Sequence, residues 1–285
     1  MSLGAISHKP WTPPSDDDLS WFRADQKIFA PPRPLDYTLE IHALVFGMTC
    51  ALESLEFPLY ALRSRLLNGR VYLAAVPSAV AELNLAQRLK NIHAQSVRFT
   101  RNIQRAWERQ LKPEVELYNS RFEDLANFTG SSRELAQRMR KLRRERGNQW
   151  FTAIRGVIAP TVLLQRDVGE FGSEMGALAA DLSRQTLALV ADRGRASIDL
   201  AMTRIGERLV EANVIDKVGE VFWLAWAEIL QSLESSSDRR APVAERALQA
   251  AREVNLAVPE MIGPPLPQDA PRMYLLGEIL QMLDR

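Results

Sequence analysis

Residues 131–147 read SSRELAQRMRKLRRERG, and this stretch decides the fold class of the chain. Ser131, followed three positions later by Glu134, is a capping-box motif in which the two side chains satisfy backbone N–H groups at a helix start. Three apolar residues then recur at the spacing of one helix face: Leu135, Met139 and Leu142. The stretch predicts an amphipathic helix, and we expect Gly147 to end it.

The same stretch holds the densest charge cluster of the chain: Arg138, Arg140, Lys141, Arg143, Arg144 and Arg146. The favoured interpretation is the solvated face of a helix whose other side is buried. A second interpretation is an anion-binding or partner-docking patch. Nucleic-acid binding is a weaker third, because no known nucleic-acid-binding module or interleaved aromatic residues accompany the cluster.

Upstream of this stretch, residues 78–110 predict a long helix with a continuous apolar seam from Leu85 to Ala106. Pro113 then marks the start of a new helix. Asn68 and Gly69 form a turn signal beside a short extended run, and they indicate the one strand pair of the sequence.

Downstream, helical patterns cover residues 149–202, 217–234 and 242–254. In residues 217–234 we expect an ordinary buried stripe from which Trp223 and Trp226 project. The chain therefore predicts an all-α fold of long helices packed side by side, with at most one short β-hairpin near residues 66–74.

The two ends differ from the middle because both are rich in proline. We expect residues 1–36 to form an extended arm that docks on the body, since proline disfavours helix and the arm still carries tryptophan and phenylalanine. Residues 37–257 are expected to form a helical substrate-binding and linker domain. Residues 258–285 are expected to form a connector and a C-terminal helix for partner docking.

Composition narrows the class of protein. The 285 residues include 36 basic and 35 acidic side chains, a net charge of +1 that gives no whole-chain reason to expect nucleic acid or acidic membranes. The single cysteine, Cys50, allows no intrachain disulfide. With no signal core and no apolar run near the roughly 20 residues that span a bilayer, we expect a soluble, cytoplasmic protein without membrane contact.

Motifs for catalysis are missing from the sequence. No Gly-rich phosphate loop follows a strand, and no serine nucleophile motif occurs. The three histidines, His8, His42 and His93, lie in different elements without metal-ligand spacing. We expect no catalytic residue and no metal site in this chain, and a structural role for His42.

Aromatic side chains are the other resource for binding, since they offer large rigid surfaces to flat ligands. The candidates for a pocket are Trp150, Phe151, Phe171, Phe222, Trp223 and Trp226. Helical spacing makes core packing the commoner fate of any single one of them.

Three stretches, taken in order, resemble the phosphoenolpyruvate-utilising enzymes between their ATP-grasp and phosphohistidine domains. The first runs from FAPPRPL (29–35) through EFP (56–58) to LNGRVY (67–72). The second is ANVIDKVGEVFWLAWAEIL (212–230), and the third is AERALQAAR (244–252) with VPEMIGPP (258–265). The resemblance spans roughly residues 20–265.

The sequence also departs from the family pattern. Ile28 stands where a histidine often precedes the proline-rich segment, Glu220 stands where aspartate is usual, and a family histidine is missing around Ile154 and Arg155. Neither the ATP-grasp motif nor the phosphohistidine motif of the family occurs in the sequence.

The resemblance implies the acceptor-binding subunit of a split, ATP-dependent phosphotransferase, like phenylphosphate synthase in its division between chains. It implies partner chains with an ATP-grasp domain and a phosphohistidine domain, ATP and Mg²⁺ bound by the partner rather than by this chain, and a hydroxylated, phenolic substrate. The candidate substrate-binding residues are Trp21, Phe22, Arg33, Trp150, Arg155, Trp223 and Trp226. The alternative is a non-catalytic helical scaffold that assembles a complex through the seam and the basic cluster.

Overall fold

The structure is a computed structural model that describes residues 15–24, 33–54, 59–68, 70–77, 103–166, 168–253, 256 and 259–264. For residues 59–61, 77, 163–166 and 168–176 it describes the backbone alone. Helix accounts for 76% of the described residues, so the predicted mostly-α class is confirmed. Most of the seam from Leu85 to Ala106 and the predicted C-terminal helix lie outside the described residues.

Helix α1 covers residues 34–54 in three consecutive segments: Pro34–Asp36, a π-helical turn Tyr37–Ile41, and His42–Ser54. The extended Arg33 precedes it, and Pro34 occupies the first helical turn, where its missing N–H costs nothing. The inward face is fully apolar, with Leu39, Leu44, Met48 and Leu52 at most 1% exposed.

Helix α2 covers residues 103–126 as Ile103–Ala106, a π-helical turn Trp107–Leu111, and Lys112–Ala126. The expectation of a new helix at Pro113 is therefore wrong. Proline lacks an N–H and crowds the carbonyl of the preceding turn. Here that preceding turn is the wider π-helix, and the helix passes Pro113 without a break.

Helix α3 covers residues 132–166 as Ser132–Ala153, a π-helical turn Ile154–Ile158, and Ala159–Arg166. The predicted capping box is confirmed: Glu134 N donates to Ser131 Oγ, and Ser131 N donates to Glu134 Oε2. Gly147 does not end this helix. It lies where α3 crosses α1, and a Cβ at Gly47 of α1 would stand 2.8 Å from the Gly147 carbonyl oxygen.

Helix α4 comprises Val168–Leu187, a π-helical turn Ala188–Arg193, and Gly194–Glu211. The expected helix over residues 217–234 is instead broken. A 3-10 helix, Val218–Trp223, is followed by the extended Leu224 and Ala225, and α5 begins at Trp226 and runs to Ser235. Helix α6 is Arg240–Glu253.

The sheet is larger than the single hairpin that the sequence indicates. Its strands are β1 (Trp21–Arg23), β2 (Leu59–Leu67), β3 (Arg70–Pro77) and β4 (Met261–Ile262). They are antiparallel in the order β2-β3-β1-β4, with Phe22 opposite both Leu73 and Met261. The prediction missed β1 and β4 because strands of three and two residues are too short to show a period of two. A 3-10 turn, Asp16–Asp18, precedes β1.

Two large apolar clusters form most of the core. One lies between α1, α3 and the sheet and includes Leu44, Met48 and Trp150. The other joins α2, α3, α4 and α5 and includes Phe122, Met139 and Trp226. In the part of the chain that the structure describes, none of the helices is both long and apolar enough to cross a membrane.

Candidate functional site

A chain of charged side chains runs from the surface into the interior where α1, α3 and α4 meet. We call it the arginine–carboxylate network; its members are Arg33, Asp36, Glu40, Arg146, Arg195 and Asp199. Asp36 and Glu40 are one turn apart on α1 and link its outer and inner ends. Three arginines face three carboxylates, so the network as a whole is neutral.

The inner end is an ion pair between Arg146 and Glu40. Arg146 Nη2 lies 2.7 Å from Glu40 Oε2, and Arg146 Nε lies 3.0 Å from Oε1. Arg146 is only 1% exposed. A guanidinium removed from water to this degree needs a charged partner and further acceptors for its remaining N–H groups.

Two buried amides supply those further bonds. Gln149 Oε1 accepts from Arg146 Nη1, and Gln149 Nε2 donates to Asn119 Oδ1 at 2.8 Å and to the Val115 carbonyl at 3.2 Å. Asn119 Nδ2 in turn donates to the carbonyl of Leu189 at 3.0 Å. Leu189 belongs to the π-helical turn of α4, and its carbonyl also accepts the backbone N–H of Gly194. The π-helical turn therefore provides the acceptor that completes the buried network.

A glycine makes room for the buried guanidinium. A Cβ at Gly194 would stand 2.5 Å from Arg146 Nη1 and 3.2 Å from Asn119 Oδ1. The start of the last segment of α4 can therefore lie directly against the network only because this residue has no side chain.

The outer end is organised by Asp36, which receives two arginines. Arg33 Nε donates to Asp36 Oδ2 at 2.9 Å, and Arg195 Nη2 donates to Asp36 Oδ1 at 2.6 Å. Arg195 Nε also donates to Asp199 Oδ1 at 3.1 Å. Burial by itself would lower the pKa of Arg195, but the carboxylates of Asp36, Asp199 and Glu40 outweigh it and raise that pKa. Arg195 therefore stays charged.

An aromatic ring adjoins this outer end. The Arg33 guanidinium carbon lies 4.0 Å from the centroid of the Phe222 ring, within cation–π range. Phe222 comes from the 3-10 helix Val218–Trp223. This short element therefore brings residues of the stretch 212–230, the second of the three family-like stretches, against the start of α1.

The network offers guanidinium groups as hydrogen-bond donors, and its carboxylates are already paired with those groups. Arginine remains protonated, and the carboxylates are engaged by guanidinium groups. The chemistry that fits such a site is binding and charge compensation.

Two of the predicted site residues lie at the ends of the network. Arg33 is part of its outer end. Trp150 lies beside its inner end, with the Arg146 guanidinium carbon 5.3 Å from the ring centroid. Among the buried side-chain polar atoms that the structure describes, the indole Nε1 of Trp150 is the one without a hydrogen-bond partner.

Trp223 and Trp226 lie near the start of α1. The backbone N–H of Trp226 donates to Thr38 Oγ1 at 2.9 Å, and the Trp223 carbonyl accepts from Arg246 Nη1 at 2.9 Å. Trp226 does not project from the buried stripe as expected, because its side chain is 2% exposed. The break at Leu224 and Ala225 changes the helical phase and turns the indole into the core.

The remaining predicted residues lie elsewhere. Trp21 and Phe22 are in β1, where the Trp21 indole is buried against the sheet and donates to the Asp16 carbonyl. Arg155 is exposed on α3, and its guanidinium carbon is 5.8 Å from the Phe151 ring centroid. The structure thus gathers Arg33, Trp223 and Trp226 near the start of α1 but does not bring all seven residues together.

Sequence reasoning missed Asp36, Glu40, Arg195 and Asn119. A signal was available for Arg146, because it follows Leu142 by four positions and Met139 by seven and so shares their buried face. Asn119 likewise lies between Val115 and Phe122 on the inward face of α2.

The rest of the basic cluster has several different environments. Arg140 pairs with Glu234 of α5, and Arg138 lies over the Phe128 ring. Arg143 Nη2 lies 2.9 Å from His42 Nδ1, so that ring nitrogen accepts and His42 is neutral in this contact. Burial, and next the charge of Arg143, lower the pKa of His42.

An ion pair joins the second and third family-like stretches, residues 212–230 and 244–252. Arg246 of α6 makes two bonds to Glu228 of α5, with Nη1 2.6 Å from Oε2 and Nη2 2.8 Å from Oε1. Glu228 Oε2 also accepts from the backbone N–H of Ala225 and so caps α5. The hydrogen bond from Arg246 is the main cause that lowers the pKa of Glu228.

Comparisons of the chain with protein-family models, with curated proteins and with solved structures find no match. Among the described residues, no group of three or more His, Cys, Asp or Glu side chains is placed so that it could hold a metal ion.

Proposed function

We propose that this chain is the acceptor-binding subunit of a split, ATP-dependent phosphotransferase and holds a hydroxylated, phenolic small molecule. The observation that carries the proposal is the outer end of the network. There two partly exposed arginines, Arg33 and Arg195, share one carboxylate, Asp36, beside the Phe222 ring.

Unused donors make this end suitable for an anion. Arg33 uses Nε and Nη2, and Arg195 uses Nε and Nη2, in bonds to carboxylates. Within the residues that the structure describes, the Nη1 group of each arginine makes no hydrogen bond. Each side chain remains about one-third exposed, at 33% and 34%. A phosphoryl group could therefore receive N–H bonds from both sides of Asp36.

The aromatic neighbours suit a phenolic ring. Phe222 and Trp223 are both only partly buried, and the Phe222 ring lies next to the guanidinium of Arg33. Flat ligands gain from such surfaces at little entropic cost. The resemblance to phosphoenolpyruvate-utilising enzymes also supports this proposal, because Arg33 lies in the first of the three similar stretches and Phe222 lies in the second.

In the proposed reaction, the substrate hydroxyl oxygen forms a bond to phosphorus while the N–P bond of a phosphohistidine on the partner chain breaks. The hydroxyl proton leaves to the freed imidazole or to water. The partner supplies ATP and Mg²⁺ chemistry; this chain positions the hydroxyl and offsets charge on the phosphoryl oxygens. A cytoplasmic location fits a reaction that consumes ATP.

Reconstitution tests the proposal. ATP-dependent phosphorylation of phenol should require the ATP-grasp chain, the phosphohistidine chain and this chain together. The double variant Arg33→Gln/Arg195→Gln should lower the rate by about 100-fold, as loss of charge-stabilising donors does elsewhere. Arg204→Gln is the matched control, because Arg204 is an exposed α4 arginine paired with Glu207. Full activity of the charging chains alone would overturn the acceptor role.

A non-catalytic scaffold is the second candidate function, and the exposed basic side chains of α3 favour it. Tryptophan fluorescence separates the two functions. Quenching on titration with phenols supports the acceptor site, and an unchanged spectrum at saturating phenol supports the scaffold.

A further inference from the structure

One exposed face of α3 carries a row of basic side chains along much of the helix. We call it the basic stripe; its members are Arg133, Arg140, Lys141, Arg144 and Arg155, all exposed. Their spacings place them within one side of a helix with 3.6 residues per turn. Arg146 is not part of the stripe, because it lies on the buried face.

The stripe differs from other arginine-rich surface because the carboxylates beside it on α3 are engaged elsewhere: Glu134 in the capping box and Glu145 with Arg121 of α2. On α4, Arg184 pairs with Asp181 and Arg204 with Glu207, in the same-helix arrangement that neutralises a solvated face. On the stripe, Arg140 pairs with Glu234. Counting only partners among the described residues, Arg133, Lys141 and Arg144 form no ion pair.

Positive charge without a paired carboxylate lowers the stability of helix α3. Like charges one turn apart on a helix destabilise it, so Lys141 and Arg144, three positions apart, repel each other. Glu145, four positions after Lys141, could relieve that repulsion, but it pairs with Arg121 of α2 instead. A binding role is a physical reason for leaving these two charges without a carboxylate.

The C-terminal part of the stripe borders an aromatic surface. Phe46 of α1 is 47% exposed, and its ring lies against Gly147, where a Cβ would stand 2.6 Å from Phe46 Cδ1. Phe151, half-buried on α3, lies beneath the Arg155 guanidinium. Aromatic residues, phenylalanine among them, and arginine are enriched at protein–protein interfaces.

We propose that the basic stripe and Phe46 form a docking surface for an acidic segment of a partner protein. Carboxylates of the partner would pair with Arg133, Lys141 and Arg144, and an apolar side chain would pack on Phe46. A protein segment fits better than a nucleic acid, because the chain as a whole has a net charge of only +1 and so offers little long-range attraction to a polyanion. This proposal does not rest on the phosphotransferase function.

The test measures binding of a fluorescein-labelled peptide of about 20 residues that is designed as an amphipathic helix, with glutamates along one face and leucines at one end. Fluorescence anisotropy gives its Kd for the full chain at low salt. Wild type should bind, and Arg133→Gln/Lys141→Gln/Arg144→Gln should raise the Kd at least about tenfold, since three charge pairs are lost. Phe46→Ala should raise it as well.

A matched triple variant controls for total charge. Arg184→Gln/Arg204→Gln/Arg240→Gln removes three exposed arginines that already have carboxylate partners, and it should leave the Kd nearly unchanged. Equal weakening by both triple variants would overturn the proposal. So would equal binding of a scrambled peptide, absence of wild-type binding, or tighter binding of a single-stranded oligothymidine of equal charge, which would indicate a nucleic-acid surface.

Discussion

Arg146 of α3 and Glu40 of α1 form a buried ion pair, with Nη2 2.7 Å from Oε2. The arginine comes from the most basic stretch of the chain, yet it is the one residue of that cluster that is fully buried. Its position joins two helices that also touch through Gly47 and Gly147. The ion pair therefore belongs to the packing of the core as much as to the charge of the molecule.

Removal of one partner should destabilise the fold strongly. Arg146→Met leaves the Glu40 carboxylate without its guanidinium, and Glu40→Gln leaves Arg146 charged in the interior. We expect each to lower the free energy of unfolding by about 3–5 kcal/mol, the range for breaking a buried pair. Urea denaturation followed by circular dichroism measures it.

The control for this prediction is Arg204→Gln, which breaks an exposed pair and should cost less than about 1 kcal/mol. The double variant Arg146→Met/Glu40→Met should recover part of the loss, because no charge then remains buried. If Arg146→Met cost no more than Arg204→Gln, the pair would not have the structural role described above.

His42 should make stability depend on pH. Burial and Arg143 lower its pKa in the folded chain, so the unfolded chain binds this proton more tightly. The stabilising effect of a neutral His42 is then complete above the unfolded pKa of about 6.5 and is lost as the pH falls through it. Melting temperatures at pH about 7.5 and about 5.5 should differ less in His42→Gln than in wild type.

Arg143→Gln extends this test, because it removes one of the two causes of the low pKa of His42. It should also reduce the difference between the two melting temperatures, though less than His42→Gln does. Identical differences in wild type and His42→Gln would show that another group controls stability in this range.

The local pattern of residues correctly predicted the structural features that depend on residues close together in the chain. The capping box at Ser131 and the apolar face of α3 follow from spacings of three and four residues, and both are confirmed. The interpretation of Gly147 as a helix end was wrong because local pattern cannot distinguish a glycine that ends a helix from one that lets a second helix approach.

Partners that lie far apart in the chain could not be predicted in this way. Asp36 and Arg195 are 159 positions apart, and β1 pairs with the strands of Tyr72 and Met261, which also lie far from it along the chain. The candidate site is made of such pairs, so only Arg33 among its six charged residues was singled out beforehand as a substrate-binding candidate. Fold class follows from periodicity, whereas a site between helices depends on how the helices meet.

The helix crossing should tolerate no side chain at Gly47. Alanine there would put its Cβ 2.6 Å from Trp150 Cβ and 2.7 Å from the Phe151 backbone nitrogen, and neither atom can move without shifting α3. We expect Gly47→Ala to lower the free energy of unfolding by about 1–3 kcal/mol, despite the roughly 1 kcal/mol by which alanine favours helix over glycine. Chemical denaturation measures the change.

Two other glycines serve as controls for Gly47→Ala. Gly147→Ala meets the ring of the exposed Phe46, which can rotate away, so it should cost less. Gly219→Ala meets nothing within 4 Å and should be neutral. Equal effects at Gly47 and Gly219 would contradict a close contact between α1 and α3.

The hydroxyl of Thr38 should matter because it bonds in two directions. Thr38 Oγ1 donates to the Pro34 carbonyl at 2.7 Å and accepts the backbone N–H of Trp226 at 2.9 Å, which ties the start of α5 to α1. Thr38→Val keeps the shape of the side chain but leaves that N–H without an acceptor. We expect a loss of about 1–3 kcal/mol in the free energy of unfolding, the cost of an unsatisfied buried donor.

Thr203 provides a closely matched comparison for Thr38→Val. Its hydroxyl also donates to the carbonyl four residues earlier, Asp199 at 2.8 Å, but it is exposed, and no described residue of another element donates to it. Thr203→Val should therefore change stability by less than about 0.5 kcal/mol. Thr38→Ser should behave nearly as wild type, since it keeps the acceptor. If Thr38→Val and Thr203→Val were equally mild, the bond to Trp226 would contribute nothing, and the junction of α1 and α5 beside Arg33 would have to be held by apolar packing alone.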